Sequence, residues 1–385
     1  MRYKHLIVAV GVMLVWLAMA SSVLAIVYLV HTVDYPGQNI QGHWLTGVNN
    51  VGQIVGDYQD QNSIAHGFVY SAGTFSAPLT PAAAVFAIND SGQIAGETSD
   101  STGLHGVIFN GGTPSPPVDF PNSVSTEILG INNAGDIVGD YQLAGSSAPL
   151  AFRRSTGTFA GPLNVPGAAR SLATGINNAG TVVGTFYDAL GITHGFVMSG
   201  TMGTQFDVPS STRTELWGIN SADQIVGCYE DAVLPGKSYP FVHLSGFIHT
   251  FHIPMAASGC ALKINDAGQI VGYYYDAGGM SHGFVATPVP DRSQGVIAWC
   301  QAHPLLCHGL VHPWDIKKPG DPTPRFLPVR PVQGVERMDC EKQKGLCQEM
   351  MAAARETMNR PTVSTAVLLT TIPVHEKPSL SRPSK

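Results

Sequence analysis

The stretch Glu127-Ile128-Leu129-Gly130-Ile131-Asn132-Asn133-Ala134-Gly135-Asp136-Ile137-Val138-Gly139-Asp140-Tyr141 decides how this chain folds. Its two flanks are short and rich in β-branched and aliphatic residues, so each reads as a strand rather than a helix. Between them, Asn-Asn-Ala-Gly supplies residues that tolerate positive φ, which is the chemistry of a hairpin loop. The unit is two antiparallel strands joined by a tight turn.

Working outward, the pattern begins six times, at Gly47, Ala87, Gly130, Gly175, Gly218 and Lys263. The Asn two residues on falls at Asn49, Asn89, Asn132, Asn177, Asn220 and Asn265, in steps of 40, 43, 45, 43 and 45 residues. Such a period belongs to folds in which each unit is one blade or layer. In the first copy a second hairpin follows: His66-Gly67-Phe68-Val69-Tyr70, a turn at Ser71-Ala72-Gly73, then Thr74-Phe75. Four short strands per repeat, joined as a meander, predict an all-β, six-bladed β-propeller of four-stranded antiparallel blades. A linear β-solenoid is the competitor, but its turns are usually shorter and its ends need caps.

The ends of the array point to a closed ring. Pro121, Pro166, Pro209 and Pro254 finish fourth strands, each 11 residues before the next Asn, and Pro36 stands 13 before Asn49. The sixth copy reaches His282-Gly283-Phe284-Val285 and then lacks a fourth strand of that form. His31-Thr32-Val33-Asp34-Tyr35-Pro36 resembles Gln205-Phe206-Asp207-Val208-Pro209. An N-terminal strand is therefore expected to complete the last blade and remove two exposed sheet edges. The propeller should span residues 26–290, with an irregular or partly helical tail over 291–385.

The chain has 385 residues, 44% of them apolar, with 43 Gly and only 12% charged residues, which suits a turn-rich β protein. Over residues 31–290, six Lys and Arg face 18 Asp and Glu, a balance of −12; residues 291–385 carry 13 against nine, or +4. An acidic body repels nucleic acid and anionic membrane surfaces. At the start, Arg2 and Lys4 precede the apolar run Leu6 to Leu17 and a small-residue region ending at Ala25. Residues 1–25 read as a signal peptide, favoured over a membrane anchor extending to residue 30 because an anchor needs no small-residue ending. Either places the repeats outside the cytoplasm, and the membrane is met only through that segment if it stays uncleaved.

Gly-Ile-Asn-Asn-Ala-Gly-Asp-Ile-Val-Gly, with His66-Gly67-Phe68, His194-Gly195-Phe196 and His282-Gly283-Phe284 about 20 residues after the Asn of their copies, resembles the HAF family of bacterial extracellular repeats. The resemblance covers roughly 260 residues. It implies an exported β-repeat protein and no established activity. Relatives often end in a Val-Pro-Glu-Pro sorting signal; Val289-Pro290-Asp291 begins similarly and then departs.

Candidate chemistry lies in a second pattern. An Asp followed five or six residues later by a His occurs as Asp60/His66, Asp100/His105, Asp188/His194 and Asp276/His282. A carboxylate beside an imidazole can orient a catalytic base or metal ligand. Repetition favours a structural role instead, since an active site needs one such set. Two copies break the pattern, over residues 140–150 and 229–239, so Tyr141, Tyr229, Glu230, Asp231 and Tyr239 form the candidate ligand edge. Calcium could use Asn132, Asp136 and Asp140, but these lie along a hairpin rather than in a calcium loop, and a turn role is favoured. No cofactor is predicted.

Cys228 and Cys260 sit on adjacent repeats and can form a disulfide outside the cytoplasm. In the tail, Cys300/Cys307 and Cys340/Cys347 share one spacing that fits disulfides better than zinc. The combined expectation is a non-enzymatic exported propeller that binds a carbohydrate, peptide or protein. The alternatives are a propeller hydrolase or lyase with a metal or carboxylate site in its channel, and a structural envelope or matrix protein.

Overall fold

A computed structural model describes residues 27–81, 83–251, 253, 255–288, 364–368 and 370–373. The N-terminal targeting segment, most of the tail, and Cys300, Cys307, Cys340 and Cys347 lie outside the described residues.

The third repeat shows how its residues make the unit. Its strands are β10 (Ser123–Ile131), β11 (Ile137–Leu143), β12 (Leu150–Ser155) and β13 (Thr158–Ala160). β10 and β11 pair antiparallel, with Ile131 opposite Ile137 and Glu127 opposite Asp140. In the loop, Asn132 Oδ1 accepts from the Ala134 and Asp136 amides at 3.0 and 2.9 Å, and Gly135 takes φ +80°. The Asn thus satisfies turn amides that would otherwise go unpaired. Gly139 is required by close approach: a Cβ there would lie 1.8 Å from the Glu127 carbonyl oxygen. The matching Gly56, Gly96, Gly184, Gly227 and Gly272 meet strand-one carbonyls the same way, at 1.9 to 2.2 Å.

Around the ring the strands fall into five hydrogen-bonded sheets. The first repeat gives β2 (Gly42–Val48), β3 (Ile54–Gln59), β4 (Ala65–Ser71) and β5 (Thr74–Phe75), and the second gives β6 (Ala84–Ile88), β7 (Gln93–Asp100), β8 (Gly103–Asn110) and β9 (Thr113–Pro114). The fourth gives β14 (Arg170–Ile176), β15 (Val182–Tyr187), β16 (Thr193–Met198) and β17 (Thr204–Phe206), and the fifth gives β18 (Ser211–Ile219), β19 (Ile225–Asp231), β20 (Ser238–Leu244) and β21 (Phe247–Thr250). The sixth supplies β22 (Ser258–Ile264), β23 (Ile270–Tyr275) and β24 (Ser281–Pro288).

Six separate four-stranded sheets are not what forms. The second and third repeats run into one eight-stranded sheet through a single parallel pair, Ser125 with Leu104. The cause is local: Gly103 lacks the Cβ that would stand 2.3 Å from the Val124 carbonyl oxygen, so the two edges can touch. The sheet of the fifth repeat gains one further strand and that of the sixth gains two.

Those additions come from the chain ends. β1 (Val27–Thr32) pairs antiparallel with β24, from Tyr28 opposite Pro288 to Thr32 opposite Phe284. β25 (Ser364–Leu368) lies on the other side of β1, and β26 (Thr370–Pro373) pairs with β21. This part of the tail is therefore extended, not irregular or helical, because open edges of the sheets supply its backbone partners.

The core lies between neighbouring sheets. Phe68, Phe152, Phe196, Phe241 and Phe284 occupy one place in the third strands of five repeats, with Val107 there in the second, and all five rings are fully buried. Each such ring contributes about 2–3 kcal/mol by leaving water. The result is a propeller-like ring of antiparallel sheets.

Candidate functional site

At one end of the ring axis, the hairpin loops close a circuit. Asn49, Asn89, Asn132, Asn177 and Asn220 each donate through Nδ2 to the carbonyl of the next loop Asn, at 3.0 to 3.2 Å. Asn265 returns the bond to the Asn49 carbonyl at 3.0 Å. All six side chains are buried. Outside them runs a second circuit, in which Asp90 and Asp266 accept from the Asn50 and Ser221 amides at 2.7 and 2.8 Å. The cavity at this mouth is about 70 Å³, lined by these loop residues.

Deeper in the channel, Lys263 stands where four other copies have Gly and one has Ala. Its Nζ donates to three backbone carbonyls, those of Leu129 at 3.1 Å, Trp217 at 2.8 Å, and Thr174. Burial pushes the ammonium down to about 7. The three carbonyls come from three different repeats, so one side chain ties their inner strands together.

Beyond the lysine lies a layer set by strand register. Opposite residues share a face of an antiparallel pair. At one register position these are Trp44 with Asp57, Ala84 with Glu97, and Glu127 with Asp140 in the first three repeats. In the next three they are Leu172 with Thr185, Glu215 with Cys228, and Cys260 with Tyr273. Four carboxyls thus crowd one arc. Burial raises all four: Asp57 to about 7, Glu97 and Asp140 to about 8, and Glu127 in the same direction. On the opposite arc Cys228 and Cys260 form a disulfide with their Cα atoms 4.9 Å apart. Glu215 there is paired with Arg213 and accepts from Trp217 Nε1 at 3.3 Å.

At the outer rim, the four Asp–His pairs do meet. His66 Nε2 lies 3.2 Å from Asp60, and His105 Nε2 lies 3.2 Å from Asp100. His194 and His282 approach Asp188 and Asp276 at 3.7 and 3.6 Å. The Asp has a second task, closing the loop between strands two and three. Asp60 Oδ1 accepts from the Asn62 and Ile64 amides at 2.8 and 3.0 Å, and Asp188 and Asp276 repeat that geometry. Those amides hold the carboxyls of Asp60, Asp188 and Asp276 below the usual range, and the Thr102 hydroxyl and amide hold Asp100 at about 2.

Sequence reasoning missed the second carboxylate on three of these imidazoles. Nδ1 of His105, His194 and His282 meets Asp119 at 2.8 Å, Asp207 at 3.0 Å and Asp34 at 2.7 Å. The hydrogen bond His105 makes to the Asp119 carboxylate raises the imidazole's pKa. The signal was available: each of these Asp residues stands two before a strand-four Pro, in Asp34-Tyr35-Pro36, Asp119-Phe120-Pro121 and Asp207-Val208-Pro209.

The candidate ligand edge needs correction. Tyr141 is 2% exposed and stacks on Phe120 with ring centroids 3.6 Å apart. Tyr229 is 8% exposed and packs on Tyr239 and Phe241. A central strand is covered on both faces, so rings on it become core. Glu230 and Asp231 cap their own loop, accepting from the Gly236 and Val233 amides. The calcium reading at Asn132 and Asp136 also gives way, because Asp136 holds Arg153 at 2.8 Å and the Asn132 oxygen serves the turn.

A larger concavity lies between the first and second repeats. This groove of about 440 Å³ has Leu79, Ile88 and Ile94 in its floor, with Gln53, Ser76 and Thr80 among its polar lining. That volume is in the range of small-ligand sites, about 300–1,000 Å³.

The fold and these surfaces define a propeller-like ring protein. No family model matches the chain, and no curated protein matches it. Among solved structures it is similar to a protein of unknown function from Dyadobacter fermentans, with 10% identity and a TM-score of 0.46, covering 67% of this chain and 97% of that one. It is also similar to the Aleuria aurantia lectin in complex with Fucα1-6GlcNAc, with 11% identity and a TM-score of 0.42, covering 67% and 96%. The same lectin in complex with α-methyl-L-fucoside gives 12% identity and a TM-score of 0.40, again covering 67% and 96%.

Proposed function

We propose that this chain is an exported, non-enzymatic binding protein whose ligand, a carbohydrate or short peptide, occupies the groove between the first and second repeats. The observation that carries the reading is the groove itself. Its 440 Å³ compares with about 70 Å³ at the channel mouth, and an apolar floor under polar side chains suits a ring or side chain with hydroxyl or amide edges. Six in-register copies and the closed Asn circuit support a ring in which each copy serves as scaffold while the groove is used once. The leading apolar segment, the Cys228–Cys260 bridge and the resemblance to HAF repeats support export, since disulfides persist in oxidising compartments.

The test is an array of glycans and peptides probed with the parent and with Ala77→Trp, an exposed position whose indole would fill the groove. The parent should bind at least one class saturably, and the variant should lose at least ~10-fold in affinity with unchanged unfolding. A ligand that the variant binds as well as the parent, or no saturable ligand on either array, overturns the reading.

A further inference from the structure

The register layer beyond Lys263 holds chemistry that neither the groove nor the ring scaffold uses. Asp57, Glu97, Glu127 and Asp140 come from three consecutive repeats and from matching positions on their strands. Asp140 is 5% exposed, and its Oδ1 is buried without a hydrogen-bond partner; Glu97 Oε2 is likewise buried and unpartnered. Among the described residues, none of the four makes an ion pair. Two basic groups on inner strands are committed elsewhere, Lys263 to three carbonyls and Arg213 to Glu215.

Buried carboxylates left without partners are costly, and natural proteins neutralise them with a proton, a basic side chain or a metal. We propose that this acidic pole binds a divalent cation of the calcium or magnesium kind. Hard carboxylate oxygens are the ligands such ions select. Among the described residues, no three of these oxygens lie within 4.8 Å of one another, so an ion held here keeps part of its water. The half-buried Trp44, opposite Asp57, lies at one side of the acidic arc.

The experiment uses the full chain, stripped with chelator, at pH 7.5. Calcium chloride and magnesium chloride are titrated separately by calorimetry, with sodium chloride at matched ionic strength as the blank. Thermal unfolding is followed in parallel. One of the two ions should bind saturably and should raise Tm by about 3 °C or more at saturation. Asp140→Asn and Glu97→Gln should each weaken binding at least tenfold; if one fails to fold, the other carries the test. Asp90→Asn, at the opposite end of the axis, should leave the affinity unchanged. No saturable heat with either ion overturns the proposal. So does affinity that survives in Asp140→Asn and Glu97→Gln, or that is lost in Asp90→Asn. If the two acidic-pole variants are merely more stable and the parent takes no metal, protons alone neutralise the layer and the proposal also falls.

Discussion

The two ends of the same inner hairpins follow opposite rules. At the loop end, every copy carries the same Asn, and each side chain is used completely, donating to the next repeat and accepting from its own turn. About four residues away along the strands, the copies diverge, and carboxyl oxygens are buried with nothing to accept from. Repetition builds the frame, because identical groups can satisfy one another around a circle. Individual chemistry is found where the copies stop agreeing.

The strongest way to break this contrast is at the loop end. Asn177 donates to the Asn220 carbonyl and Asp223, and accepts from the Ala179 and Thr181 amides. At about 1 kcal/mol net per buried bond, Asn177→Ala should cost about 3 kcal/mol, read as a lower urea midpoint at unchanged m. A midpoint equal to the parent's would mean the circuit does not hold the ring. Lys263→Met should cost less, about 2 kcal/mol, because water can reach some of the three carbonyls it abandons. The same denaturation measurement decides it.

At the acidic end, the sign reverses. Asp140 titrates near 8 when folded, well above its ordinary value of 3.8. The folded state therefore keeps a proton that the unfolded chain has lost, and stability falls as pH rises from about 4 to 8. In chelator-treated buffer at pH 8, Asp140→Asn should be more stable than the parent by about 1 kcal/mol, and the gain should close toward pH 4. A variant less stable at pH 8 would show that the carboxylate is supported after all.

The rim gives the smallest effect. His105 is raised by Asp119, so its contribution is complete below the imidazole's ordinary 6.5 and fades as pH climbs through the raised value. Partly exposed pairs contribute little, and His105→Gln should lower Tm by about 1–2 °C at pH 5.5 and less at pH 8. An equal loss at both would point to packing rather than charge.

What was legible in the sequence follows how local the physics is. The Asn-Asn-Ala-Gly loop and the Gly at position 139 act over a few residues, so their roles can be read directly. The Asp60/His66 spacing was also readable, because strands two and three are joined by a short loop. Asp34, Asp119 and Asp207 were missed because their partners sit 13 or more residues away, on another strand or across the ring closure. Tyr141 and Tyr229 looked like surface residues in copies that depart from the pattern. Their burial depends on a neighbouring sheet that a single repeat does not reveal. The acidic layer was least visible, since Asp57, Glu97 and Asp140 become neighbours only when three repeats stand side by side. The merging of the second and third repeats hangs on one glycine at a sheet edge.

The strand that seals the ring has a consequence for how the molecule is made. Asp34, just after β1, bonds His282, 248 residues further on. A ribosome therefore delivers one half of this clasp 248 residues before the other, and the first repeat waits with an unmatched border until the sixth emerges. Circular permutation, joining the ring's own ends near Tyr28 and Pro288 and reopening the chain at an exposed turn such as Asn62-Ser63, would relocate the seam and change which repeat has to wait.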